Sequence, residues 1–259
     1  MEHQKCKLTA IVLCKNEEAT LDTCLISLSF CDEIIVADDG SSDASVNIAR
    51  RHGVHIISLA RTDSFAQKRN MAMKDVKEGW VLFIDADEVV DEKFGREVQR
   101  AIQGDTEDGF FIKRQDMFLG KKLQHGETGS MWLLRLARVE KGEWKRRVHE
   151  VWAVSGQIGR IKTGELLHTP HPNLESFLST INMYTDLEIR ERYHAKRVSP
   201  LEYSWMFVQL FVYPPGKFLF NYIVKQGFLD GIPGLFHAYC MSLHSLFVRI
   251  KTLEYLRSI

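Results

Sequence analysis

The stretch Trp80-Val81-Leu82-Phe83-Ile84-Asp85-Ala86-Asp87-Glu88 decides how this chain is read. Five apolar residues run without a break into three carboxylates within four positions. A strand that is apolar at every position is buried on both faces, as in a parallel sheet covered by helices. Carboxylates crowded at its end repel one another, so the crowding points to a cation or a shared proton rather than to stability.

Working outward, the same strand grammar recurs. Leu8 to Cys14 (LTAIVLC), Glu33 to Asp38 (EIIVAD) and Val54 to Ala60 (VHIISLA) read as strands. Between them, Leu21, Cys24, Leu25 and Leu28 share one face of a helix. A second helix is expected from Asp43 to Arg51 with Ser42 as its N-cap, a third from Ser64 to Lys74 and a fourth from Asp91 to Ile102. This alternation predicts an α/β fold with a mostly parallel, Rossmann-like sheet. After Gly104 the pattern changes. GFFIKR, MWLLRLARV, KRRVHEVWAV and GELLH read as strands of an antiparallel extension, and Asn173 is expected to cap a long helix in which Leu174, Phe177, Leu178, Ile181, Tyr184 and Leu187 form the apolar face.

From about Pro200 the chain is aromatic and nearly uncharged, and Pro214-Pro215-Gly216 and Gly231-Ile232-Pro233-Gly234 read as breaks between short helices. A spanning helix needs roughly 20 apolar residues, and none is read here. Aromatic helices flanked by Lys196, Arg197, Lys217, Lys225, Arg249 and Lys251 suit a membrane surface; a helical subdomain covered by the core or by a second copy of the chain is the other reading. The expected division is residues 1–104 as the parallel-sheet half, 105–195 as the half that carries the antiparallel extension and the long helix, and 196–259 as a helical tail.

The 259 residues carry 34 Lys and Arg against 34 Asp and Glu, so no global field argues for nucleic acid. Five cysteines without a CxxC pair read as reduced thiols. The apolar run near the N-terminus is too short for a signal peptide, which leads us to expect a cytoplasmic main domain.

Ligands of open α/β sheets bind beyond the carboxyl ends of the strands. Three polar clusters are expected there: Cys14-Lys15-Asn16-Glu17, Asp38-Asp39-Gly40-Ser41 and Asp85-Ala86-Asp87-Glu88. Neither GxGxxG nor a P-loop motif occurs. Asp85 and Asp87, two apart on extended chain, can point to one side and suit Mg²⁺ or Mn²⁺.

AIVLCKNEEATLDTCLISL, EIIVADDGSSD, AQKRNMAM and WVLFIDADE, in this order, resemble a family-2 glycosyltransferase of the GT-A fold. RQDMFLGKKLQHG, RLARV, KRRVHE, ELLHTP and KQGFLDGIPG resemble the bacterial lipopolysaccharide-core glucosyltransferase group. The resemblance implies a UDP-sugar donor, with Cys14, Asn16, Glu17, Asp38, Asp39, Arg69, Asp85 and Ala86 around the nucleotide sugar. It implies Asp38 on the uracil, Arg69 near base and phosphate, Asp85 on the ribose or a metal-bound water, Asp87 on a metal, and His168 at the diphosphate or metal. Where relatives carry Pro-Thr-Tyr-Asn, this chain has Leu13-Cys14-Lys15-Asn16, a departure that touches the base-stacking contact.

Such enzymes invert at the anomeric carbon and need a carboxylate to take the acceptor's proton. Glu150, Asp116 and Glu88 are the candidates, Glu150 first; its structural alternative is an ion pair with Arg146 or Arg147. Lys145, Arg146 and Arg147 are read as binding phosphates or as simply solvated. The implied acceptor is a lipid-anchored glycan at the cytoplasmic face of the inner membrane. Polyprenyl phosphate as acceptor, a nucleotidyltransferase and a non-catalytic nucleotide-binding scaffold are the alternatives.

Overall fold

The computed structural model describes residues 6–62, 64–129, 131–146, 150–170, 174–193 and 199–257. They divide into two compact units, residues 1–114 with 131–168, and residues 115–130 with 169–259.

The first unit is built on one sheet. β1 (Leu8–Cys14), β2 (Glu33–Asp38), β3 (His55–Ser58) and β4 (Trp80–Asp85) are parallel, in the order β3-β2-β1-β4. The connecting helices are α1 (Leu21–Ser27), α2 (Ser45–Arg51) and α3 (Phe65–Met73), with α4 (Glu92–Ala101) after β5 (Glu88–Val90). The sheet continues beyond β4 through β8 (Met131–Arg138), β6 (Gly109–Phe118), β11 (Ile158–His168) and β5. β8 runs antiparallel to β4 and β6, and β5 antiparallel to β11. β9 (Gly142–Lys145) and β10 (Val151–Val154) form a separate antiparallel hairpin. This is the mixed α/β sheet that the sequence predicts.

The apolar runs are the core. β1 and β4 are buried along almost their whole length, and Trp80, Phe83 and Phe94 are among the largest fully buried side chains. Apolar burial on this scale is the main stabilising term. Ser64 caps α3 by accepting from the Gln67 N–H, and Asp91 caps α4 by accepting from the Phe94 N–H at 2.8 Å. Ser42 does not cap α2. That helix starts at Ser45, and Asp43 instead accepts from the Ser45 N–H, because Ser42 is held by Asn16. KRRVHEVWAV is two strands rather than one; residues 147–149 lie outside the described residues.

The second unit contains β7 (Lys121–Lys122), which pairs with the end of β6, and three helices: α5 (Leu174–Tyr193), α6 (Pro200–Leu219) and α7 (Ile232–Arg257). Asn173, the expected cap of α5, lies outside the described residues. α5 buries Phe177, Ile181, Thr185 and Ile189 at four-residue spacing and leaves Leu178 and Tyr184 exposed, so its inner face is narrower than the sequence suggests. The tail is not a set of short helices. α6 runs through Pro214 and Pro215, and the Ser242 hydroxyl on α7 donates to the Pro214 carbonyl at 2.7 Å. The second break is real: a 3₁₀ turn ends at Asp230, and Pro233 falls in the first turn of α7, where its missing N–H is not needed. Among the described residues no helix is long and apolar enough to cross a membrane.

Candidate active site

Sheet register brings the polar clusters to one edge. Cys14 pairs with Asp38 across β1 and β2, and Leu13 pairs with Asp85 across β1 and β4. The loops beyond these ends are laced together. Asn16, in the left-handed region at φ 56°, donates its N–H to Ser41 Oγ and accepts from the Ser42 N–H at 2.7 Å. Asparagine tolerates that conformation better than most residues. The Glu17 N–H donates to Ser45 Oγ at 2.8 Å. Asp38 is buried and accepts from the N–H groups of Gly40 and Ser41, which shapes its own turn. Asp39 receives Lys68 Nζ at 2.7 Å and Lys15 Nζ at 3.2 Å. Ala86 is buried, and its N–H reaches the Leu13 carbonyl. Burial pushes the Cys14 thiol up to about 11, so it stays protonated and is no nucleophile.

A chain of alternating charge runs through the end of β4. Arg69, on α3, is buried; its Nη2 donates to Asp85 Oδ1 at 2.8 Å and its Nη1 to Glu150 Oε1. Its guanidinium lies over the Trp144 ring, 4.6 Å from the centroid. Arg135, on β8, meets the other side of Asp85, with Nη2 at 2.6 Å from Oδ2 and Nη1 at 3.4 Å from Oδ1. Burial alone would raise the Asp85 pKa, but Arg135 and then Arg69 outweigh it and hold the carboxyl well below the usual range. Glu88 is fully buried, and its Oε2 accepts from the Asp85 N–H at 2.9 Å. Burial pushes its carboxyl up, and Arg135 offsets this only in part. Enclosed in this way, Glu88 props the turn and cannot meet an acceptor.

Glu150 stands just before β10. Its ion pair is with buried Arg69, not with exposed Arg146; Arg147 lies outside the described residues. The hairpin is fixed to α3 by two hydrogen bonds between Asn70 and the Trp144 backbone, 2.8 and 2.9 Å. Trp144 stacks on Trp152, with Phe83 of β4 edge-on to both. Glu150 is thus carried on a support packed against the central strand. Lys145 is exposed beside Glu143.

Asp87 Oδ2 lies 3.3 Å from His168 Nε2 at the end of β11. Burial raises the Glu17 pKa, and the charge of Asp87 raises it further, so Glu17 faces the same region. Asp116 belongs to the second unit. It is buried there, and its charge acts on His237. The residues that sequence reasoning missed are Arg135 and Lys68. RLARV stood out as a strand, but nothing local in it marks Arg135 as the partner of an aspartate 50 positions away.

Carboxylates, a histidine and arginines thus gather on an α/β scaffold at the edge where open sheets of this kind bind their ligands. The chain belongs to glycosyl transferase family 2, whose model matches residues 9–157. With the sheet described above, this gives the GT-A class that the motifs imply. The chain is 26% identical over 249 residues to the lipopolysaccharide core biosynthesis glycosyltransferase LpsC of Rhizobium meliloti, covering 91% of this chain and 90% of LpsC. It is also 30% identical to an uncharacterized glycosyltransferase of Rickettsia bellii over 119 residues, 46% of this chain and 37% of that protein. Among solved structures it is similar to S. aureus TarS, at 15% identity and a TM-score of 0.49 over 97% of this chain and 89% of that one. Glucosyl-3-phosphoglycerate synthase from Mycobacterium tuberculosis, solved with Mn²⁺ and UDP, gives 21% identity and a TM-score of 0.35 over 41% of this chain and 43% of that one.

Proposed function

We propose that this glycosyltransferase moves a hexose, glucose in our reading, from a UDP-sugar to a hydroxyl of a lipid-anchored glycan such as lipopolysaccharide inner core, with inversion. The observation that carries the reading is the unbroken link Glu150–Arg69–Asp85, which ties a carboxylate suited to general base to the edge where β1, β2 and β4 end. Glu150 takes the acceptor's proton as the new bond forms, and Arg69 holds it against that edge. Asp38, Asp39 and the Asn16–Glu17 loop form the nucleoside end. The similarity to LpsC supports the choice of acceptor class.

The residues present fit a divalent cation, Mg²⁺ or Mn²⁺. Two donors about 2.1 Å from one octahedral ion stand roughly 3 Å apart. Asp87 and His168, at 3.3 Å, are close to that spacing. A carboxylate with an imidazole suits Mn²⁺ ahead of Mg²⁺. When bound, such an ion offsets charge growing on the leaving diphosphate.

The second unit serves as the membrane contact at the cytoplasmic face. Trp205, Phe207, Phe211, Phe236 and Tyr239 are all exposed on α6 and α7, in a unit that also carries Lys217, Lys225, Arg249 and Lys251. Aromatic rings and basic side chains together suit the headgroup layer. The test is a thermal-shift screen of nucleotide sugars with and without Mn²⁺, followed by NMR of the product's anomeric configuration. A UDP-hexose should raise the melting temperature and give an inverted product. Stabilisation by no nucleotide sugar, or a retained configuration, sinks the reading.

A further inference from the structure

Both oxygens of Asp85 are engaged. Arg135 brackets the carboxylate with its two terminal nitrogens, and Arg69 shares Oδ1. The Asp85 N–H is fixed by Glu88, whose other oxygen lies 3.7 Å from Arg135 Nη2. The bracket is held by the sheet itself. β8 is paired with β4 at Leu82 and Leu136, which sets Arg135 alongside the end of β4. Arg69, Arg135 and Arg114 together match Asp85, Glu88 and Glu150, so this cluster presents no net negative charge to a cation. Asp87 stands outside it, beside His168. Among the described residues, no group of three or more His, Cys, Asp or Glu side chains is placed to hold a metal ion by itself.

We propose that Arg135 is a positioning residue that withholds Asp85 from the metal, so that the free protein holds a divalent ion weakly and the ion is retained together with the nucleotide diphosphate. This rests on reading Asp87 and His168 as the metal's protein ligands. An arginine fork satisfies a carboxylate geometrically as well as electrically, which a lysine cannot do. Asp85 then serves by its fixed orientation, and the diphosphate supplies the missing donor oxygens.

The test is Mn²⁺ titration followed by electron paramagnetic resonance, on the full chain, with and without UDP. Wild type should bind Mn²⁺ weakly alone and much more tightly with UDP. In Arg135→Gln the freed carboxylate and the lost positive charge should tighten binding of Mn²⁺ alone by about tenfold, while turnover falls. A residue that only supports the fold would weaken both, so unchanged or weaker Mn²⁺ binding in Arg135→Gln overturns the proposal. Should that variant not fold, Arg135→Lys carries the same test, with a gain of about threefold expected because an ammonium cannot bracket both oxygens; no gain there is equally decisive. Wild type that binds no Mn²⁺ even with UDP overturns the metal-ligand reading itself, and the role of Arg135 with it.

Discussion

The two units handle their exceptional residues in opposite ways. The first buries its charges: Arg69, Arg135 and Glu88 are almost wholly out of water, each against a countercharge. The second leaves apolar side chains in water, with Phe211 69% and Ile232 67% exposed. Both arrangements work against stability. Buried ion pairs lose hydration that their attraction barely repays, and exposed apolar patches gain nothing from the hydrophobic effect until something covers them. The difference fits the proposed roles, in which the first unit holds the geometry of a reaction and the second meets a surface.

The largest expected effect falls on the first unit. Asp87→Ala should lower turnover by on the order of a thousandfold, comparable to losing a main electrostatic stabiliser of the reaction. UDP release from a UDP-sugar and acceptor measures it, and wild-type activity in the variant removes the metal role. Glu150→Gln should cost about a hundredfold in kcat, the usual reach of a general base. UDP affinity should hardly change, because Arg69 keeps Asp85. A variant that loses UDP binding and kcat together would place Glu150 in donor binding instead.

How far each unit is legible in the sequence follows the same division. β1 and β2 have the ends that their apolar runs predict, and the three polar clusters stand where strand order puts them. Continuous hydrophobicity is a local signal, and parallel topology converts it directly into a site. Arg135 was not legible, because its role depends on the antiparallel pairing of β8 with β4 across about fifty residues. The helix that runs through Pro214 and Pro215 is hidden from the sequence for a related reason. Two prolines weaken an isolated helix, but α6 is packed along α7, and that tertiary contact outweighs the two lost backbone bonds. Spacing alone makes Ser42 a cap, but its hydroxyl and N–H both donate to Asn16 Oδ1 on another loop.

The second unit's exposed face gives the next effect. Replacing Trp205 and Phe211 with Ala should weaken binding to anionic phospholipid vesicles by about tenfold, since each ring contributes buried apolar area. Turnover on a water-soluble acceptor should stay as in wild type. Equal vesicle binding by both proteins, with a dimer seen in light scattering, would assign the face to a second copy of the chain.

The smallest effect separates the two units by pH. Within the second unit, Thr128 Oγ lies 3.1 Å from His237 Nε2, and Asp230 accepts from the N–H groups of Gln124 and His125. Burial lowers the His237 pKa, although Asp116, Glu127 and Asp230 pull it upward. The folded unit therefore binds fewer protons here than the unfolded chain, so this contribution is complete above the ordinary value of about 6.5 and is lost as pH falls below it. Asp85 behaves differently. Its folded pKa lies below the ordinary value of about 3.9, so its contribution is complete above that value and is lost only as pH falls below it. Between pH 7 and pH 5, hydrogen exchange should quicken in residues 121–129 and 227–238 and stay level in β1 and β4. His237→Gln should remove that dependence. Equal loosening of both units over this range would mean that His237 does not set the acid response.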